Sequence, residues 1–314
     1  MNVLFAGSPG IAVESLKFLH RHATICGVLT SPDKPAGRGR KVYPSPVKAA
    51  AEELGLPVLQ PPRLNRQARD EIKELKPNLL AVFAYSKIFG PKFLALFDTG
   101  AVNVHPSLLP KYRGPSPIPA AILAGERKTG VTVQQIGLEM DAGDILLQEE
   151  IDIEEHETSG ELTDRIAPVG ARLLVETVKL IEAGEAKSIR QNNENATYCS
   201  LIRKEDGRID WREGADRIAC QVRAYNPWPM AFTSYNNLTL VIRKACEFPG
   251  DISKFSDDVP GTVCGVDKEN GILVKTNKGI LSVKELQLQS RKALGWREFL
   301  NGTPGFLGSL LGGE

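Results

Sequence analysis

The sequence predicts an α/β protein: a doubly wound, mostly parallel sheet followed by a second, smaller β-rich domain. Three observations carry this. Strand and helix signals alternate through the first half, and its strands are apolar runs rather than alternating ones, the pattern of parallel strands covered on both faces. The last hundred residues change to short β-type runs punctuated by turns. The length of 314 residues also exceeds what one hydrophobic core usually spans.

In chain order, Asn2–Ala6 is a first strand ending at Gly7, and Ile11–His20 has helical spacing. Thr24–Thr30 is a second strand. Ser45–Leu54 is a helix with Ser45 as N-cap, Pro46 at the first helical position and Gly55 just past its end. Asn65–Lys76 is a charged amphipathic helix, and Leu79–Ala84 a buried strand. Strands at Ala101–His105 and Val131–Ile136 precede a long helix over Thr158–Ala183, with Ser159 as cap and Gly184 as stop. Lys187–Tyr198 is polar and aperiodic and reads as a linker.

Beyond Arg208, one helix (Asp216–Tyr225) leads into runs at Phe232–Tyr235, Leu238–Lys244, Gly261–Gly265, Ile272–Lys275 and Ile280–Leu288. Turn residues at Asn236-Asn237, Glu269–Gly271 and Asn277–Gly279 separate several of them. These runs predict a small β-barrel of the oligonucleotide-binding type. The expected boundaries are 1–189 for the α/β domain, 190–204 for the linker and 205–314 for the barrel.

Composition excludes several classes. With 39 lysines and arginines against 38 acids, the net charge is +1. That is neither a disordered chain nor a uniformly basic nucleic-acid coat. Residues 205–314 carry 14 basic and 14 acidic side chains, so any polyanion contact there needs segregated patches. The five cysteines form no C-x-x-C pair, as expected of reduced thiols in a cytoplasmic protein. No targeting segment or membrane span is read, and no metal site is expected from four scattered histidines. Gly7-Ser8-Pro9-Gly10 is not a dinucleotide fingerprint, because Pro9 has no N–H for a phosphate. Gly125–Gly130 has P-loop glycine spacing without the Lys-Ser/Thr that completes it.

The stretch that carries chemistry runs from Ala101 to Gly114. Asn103 and His105 stand two apart at the end of a strand, on one side of the sheet. The carboxyl end of a parallel strand is where α/β sheets bind ligands. An asparagine amide donates to a developing oxyanion, and a histidine exchanges protons near neutral pH. The chain shows no activated nucleophile of its own. Downstream, Asp141-Ala142-Gly143 is a tight turn whose carboxylate can orient an imidazole. Asp144 competes for that role.

The series Asn103-x-His105-Pro106-Ser107-Leu108-Leu109-Pro110, then a glycine and Asp141-x-Gly143, resembles the 10-formyltetrahydrofolate-dependent formyltransferases. Asp33–Lys41, Pro44–Val47, Lys204–Trp211 and Arg223–Pro229 resemble in particular the branch that formylates methionyl-tRNA. The resemblance implies Asn103, His105 and Asp141 as catalytic residues and Ser107, Leu108, Leu109 and Pro110 as folate-binding residues. It implies 10-formyltetrahydrofolate as formyl donor and the free α-amine of methionyl initiator tRNA as acceptor. Asn103 and a protonated His105, held charged by Asp141, would stabilise the oxyanion, with no metal or covalent enzyme intermediate. The chain departs from the family at Ala84-Tyr85-Ser86, where a glycine usually stands in place of Ser86.

The loop carrying Lys34, Arg38, Arg40 and Lys41 combines basic side chains with glycines, which suits phosphate contacts. The resemblance implies that it enters the tRNA acceptor arm. Asn226–Pro229 is read as a rigid corner with a buried Trp228. No stable protein partner is expected, and the protein is read as a monomer. Two other functions stay open: formyl transfer to a small amine such as a nucleotide-linked amino sugar, and non-catalytic binding of tRNA or folate.

Overall fold

The structure is a computed structural model and describes residues 1–36, 41–255 and 257–312. The chain divides into two compact units. One comprises Met1–Pro117, Lys128–Asp152 and Thr163–Cys199; the other comprises Ile118–Arg127, Ile153–Leu162 and the residues from Ser200 onward.

The elements of the first part are β1 (Asn2–Gly7), α1 (Val13–His20), β2 (Thr24–Leu29), β3 (Lys34–Ala36) and β4 (Lys41–Tyr43). They continue with α2 (Pro46–Glu53), β5 (Val58–Leu59), α3 (Arg66–Glu74), β6 (Leu79–Phe83) and α4 (Pro91–Leu94). Then come β7 (Gly100–His105), α5 (Pro117–Leu123), β8 (Lys128–Gln135), β9 (Ile145–Asp152) and α6 (Ser159–Ala183). The main sheet has the order β5-β2-β1-β6-β7-β8-β9. Strands β5 to β7 pair in parallel, and β8 and β9 add antiparallel.

The central strands are apolar because no face of them reaches water. Val3 to Ala6 and Leu79 to Phe83 are buried throughout. Local chemistry sets the helices. Ser45 caps α2 by accepting from the Lys48 N–H at 3.1 Å, with Pro46 at the first position. Asn65 caps α3 by accepting from Ala68 N–H, and Ala68 and Ile72 form its buried stripe.

At α6 the expected cap is corrected by one residue. Thr158 and Glu161 exchange the capping hydrogen bonds. Ser159 instead donates to the carbonyls of Ala224 and Asn226.

The remaining elements are α7 (Ala215–Ala224), β10 (Ala231–Tyr235), β11 (Leu238–Glu247), β12 (Val263–Asp267), β13 (Gly271–Lys275), β14 (Ile280–Leu288), β15 (Leu294–Gly295) and α8 (Trp296–Asn301). They form an antiparallel sheet ordered β10-β11-β14-β13-β12, with β15 on β14. The strand path is open, and the tail binds both of its edges. Val263 N–H donates to the Ser309 carbonyl at 2.9 Å, and Gly312 N–H to the Ser234 carbonyl at 3.0 Å.

The buried tryptophan of this sheet is Trp211, whose indole N–H donates to Thr233 Oγ1. Trp228, expected to be buried, is 57% exposed. Tyr225 and Ala224 turn inward from that corner and leave the indole outside.

Candidate active site

Strand β7 brings the first two candidate residues to its carboxyl end. Asn103 pairs with Val82 on one side and Gln134 on the other, and His105 pairs with Thr132. The period of two puts both side chains on the same face. His105 is buried, whereas Asn103 is half-buried. Among the described residues, no side-chain hydrogen bond engages the Asn103 amide, so its N–H groups are available to a ligand. That unpaired amide at the strand end is the feature that fits an acyl oxygen.

The His105 ring lies between two acceptors. Nε2 donates to the Tyr112 carbonyl at 2.9 Å, and Nδ1 stands 3.6 Å from Asp141 Oδ1. Asp141 is held through both carboxylate oxygens. Its Oδ2 accepts from Gly114 N–H at 2.8 Å and its Oδ1 from the Gln134 amide at 3.0 Å, while its backbone takes φ +51°. Asp144, the competing carboxylate, turns to Ser188 at 3.3 Å.

The charged imidazole expected from sequence meets an opposing force. Burial pushes His105 below the ordinary histidine value, and the Asp141 carboxylate and the Tyr112 carbonyl only partly offset it. The sign for stability follows. Below about pH 6.5 the unfolded histidine gains a proton that the folded one resists, so acid weakens the fold. We expect the unfolding free energy to fall more steeply between pH 7 and 5 than in a His105→Asn variant. Parallel denaturation curves across that range would remove the assignment.

The turn after β7 is built from within. Ser107 is fully buried and donates to the Lys111 carbonyl at 2.6 Å. Thr132 Oγ1 donates to the Ser107 carbonyl and accepts from Leu109 N–H. Gln148 donates to the Leu109 carbonyl and to Thr132 Oγ1. Leu109 is buried, and Leu108 and Pro110 are half-buried. A Cβ at Gly130 would stand 2.4 Å from Leu108 Cδ2 and 2.2 Å from the Glu149 carbonyl oxygen. The glycine of the failed P-loop pattern therefore makes room for Leu108.

Of the four basic loop residues, Lys34 is exposed at the start of β3, and Lys41 begins β4, paired with Ala36. Arg38 and Arg40 lie outside the described residues. Ser86 is exposed, and beside it the Tyr85 hydroxyl is buried without a hydrogen-bond partner. Burial pushes the Tyr85 phenol up to about 12.

Three supporting residues escaped the sequence reading: Arg113, Gln134 and Gln191. Gln191 sits in the stretch read as linker, yet its side chain is buried and donates to the carbonyls of Asp141 and Gly143. A lone glutamine in a polar run has no sequence signature. Its partners lie 48 and 50 residues away.

A strand-end Asn-x-His with a carboxylate behind the imidazole, at the carboxyl end of a mostly parallel sheet, is an arrangement that suits a group-transferring α/β enzyme. Comparison with known proteins makes that class particular. The formyl transferase family model matches residues 6–178, and that of the formyl transferase C-terminal domain matches residues 201–304. The chain belongs to the formyl transferase family.

Among its relatives, the methionyl-tRNA formyltransferase of Treponema denticola is 42% identical over 316 residues, covering 98% of each chain. That of Alkaliphilus oremlandii is 40% identical over 314 residues, covering 99% of this chain and all of the relative. Among solved structures, the sugar 3N-formyl transferase WlaRD superposes with a TM-score of 0.66 at 21% identity, covering 93% of this chain and 99% of that one. The N-formyltransferase from Helicobacter canadensis, in complex with folinic acid and dTDP-3-aminofucose, gives 0.65 at 21% identity, over 90% of this chain and 98% of that one. These two likenesses concern the fold. Among the described residues no helix is long and apolar enough to cross a membrane, and no cluster of His, Cys, Asp and Glu could hold a metal.

Proposed function

We propose that this enzyme transfers the formyl group of 10-formyltetrahydrofolate to the free α-amine of methionyl initiator tRNA, giving N-formylmethionyl-tRNA for translation initiation in the cytoplasm. The observation that carries the acceptor is full-length identity of about 40% to methionyl-tRNA formyltransferases, through both parts of the chain. The sugar-formylating structures share the fold at about half that identity.

In this reading the amine attacks the formyl carbon, and negative charge grows on the formyl oxygen. Asn103 supplies an N–H to that oxygen. His105 and Asp141 take up the proton that the amine loses and pass it to N10 of the folate. The tetrahedral centre then collapses, the bond from the formyl carbon to N10 breaks, and tetrahydrofolate leaves. Ser107, Leu108, Leu109 and Pro110 shape the wall against which the folate lies; the buried Ser107 and Leu109 act through the backbone they hold. Residues 1–189 carry the chemistry. Lys34, Arg38, Arg40 and Lys41, with residues 205–314, hold the tRNA. Holding two substrates in line supplies much of the acceleration.

The test supplies formyl donor with methionyl initiator tRNA, uncharged tRNA or small amines. Formyl transfer to the charged tRNA is expected, with affinity falling steeply as salt rises because phosphate contacts release counterions. Transfer only to a small amine would overturn the proposal, and so would binding of tRNA with no transfer.

A further inference from the structure

Arg113 has one of the largest fully buried side chains of the molecule, and among the described residues no carboxylate pairs with it. Its acceptors are neutral. Nε and Nη2 donate to Gln191 Oε1 at 3.1 and 2.7 Å, and Nη2 also donates to Asn193 Oδ1 at 2.8 Å. Nη1 donates to the Tyr198 hydroxyl at 3.3 Å, and the guanidinium lies 5.9 Å from that ring's centre. A buried cation without a counter-charge is an expensive way to tie down a chain segment, since an apolar side chain packs as well at less desolvation cost.

The far side of Gln191 shows what the cation holds. The Gln191 amide donates to the Asp141 carbonyl at 2.9 Å and to the Gly143 carbonyl at 2.6 Å, and lies 3.3 Å from Gln134 Oε1. Gln134 in turn donates to Asp141 Oδ1 at 3.0 Å. Gly114, next to Arg113 in the chain, gives its N–H to Asp141 Oδ2 at 2.8 Å.

The main chain and both carboxylate oxygens of Asp141 therefore end in one cluster rooted on Arg113. Such holding suits Asp141, whose φ of +51° is a left-handed conformation that few side chains besides aspartate and asparagine adopt. A cation on Oε1 also polarises the Gln191 amide and strengthens its donation to the two carbonyls.

We propose that Arg113 and Gln191 are positioning residues for formyl transfer: they lock the Asp141 turn and so set its carboxylate against His105. The proposal rests on the assignment of Asn103, His105 and Asp141 to the reacting centre. It differs from simple tethering of residues 191–198 to the α/β unit in which face of the glutamine matters. Tethering uses Oε1 alone; positioning also uses the amide N–H groups.

Gln191→Glu separates the two. The carboxylate keeps Arg113 satisfied through a charge-assisted pair, but it gives up both donations to the Asp141 turn. Positioning predicts a loss of kcat of about 10- to 100-fold, as for sub-ångström to ångström misplacement of a reacting group, with KM nearly unchanged. The loss should largely vanish in an Asp141→Asn background, because both changes then act through the same carboxylate.

Arg113→Lys, which keeps the charge and loses the fork onto Gln191, is the second variant and should show the same pattern. Parental kcat in Gln191→Glu overturns the proposal, and so does a loss that multiplies fully with Asp141→Asn. If Asp141→Asn alone leaves kcat at the parental level, the assignment of the reacting centre falls first, and the positioning role with it.

Discussion

Asn103→Ala is expected to lower kcat on the order of 10²- to 10³-fold, the cost of removing one oxyanion donor from a preorganised site. The fold should hardly notice. The amide makes no side-chain hydrogen bond among the described residues, so truncation orphans no buried partner. The strand around it is carried by backbone pairing to β6 and β8, which alanine keeps. The loss should fall on kcat with KM close to parental, because the interaction strengthens only as the formyl oxygen gains charge. Steady-state kinetics of formyl transfer, with a melting curve as control, decide it. Near-parental turnover would show that the unpaired amide does not face the reacting carbonyl. A fall in melting temperature that accounts for the lost activity would show a structural role instead.

Asp141→Asn is the second large effect, on the order of 10²-fold or more in kcat for a site that depends on proton transfer. Asparagine suits the comparison because it tolerates the left-handed backbone that Asp141 occupies. The change therefore removes charge rather than the turn. Two consequences follow. One carboxylate oxygen becomes an amide that faces the N–H of Gly114 or the amide of Gln134, and a donor then opposes a donor.

The other consequence concerns His105. Burial already holds its proton affinity down, and Asp141 is the chief force opposing burial. The Tyr112 carbonyl on Nε2 is the remaining support. Without the carboxylate the ring stays neutral to lower pH. The histidine limb of the kcat/KM profile should move toward acid in the variant, and ¹⁵N shifts of the ring should report the same movement. A limb that stays in place would mean that Asp141 does not govern the protonation of His105.

Much of this enzyme was readable from one dimension. The apolar runs Val3–Ala6 and Leu79–Phe83 are central strands because continuous hydrophobicity survives only where both faces are covered. Ser45 and Pro46 start a helix by chemistry confined to four residues. Asn103 and His105 share a face because strand geometry repeats every two residues. Each rests on local stereochemistry or a short period, which a sequence displays directly.

Other features answer to partners far along the chain. Between Asp141 and Asp144, three positions apart in one turn, the choice is made by which carboxylate meets His105 and which meets Ser188. Trp228 stands outside while Trp211 lies within, although both are tryptophans in β-rich surroundings.

The sequence by itself determined the α/β class, the turn to β structure after Arg208 and the placing of Asn103 and His105 together at a strand end. The tertiary structure alone decided that Arg113 is buried, that Gln191 belongs to the Asp141 turn, and that burial works against a charged His105. The physical reason is the range of the forces. Strand period, helix caps and turn residues act over a few residues. Desolvation and the satisfaction of buried polar groups depend on everything that folding brings within a few ångströms.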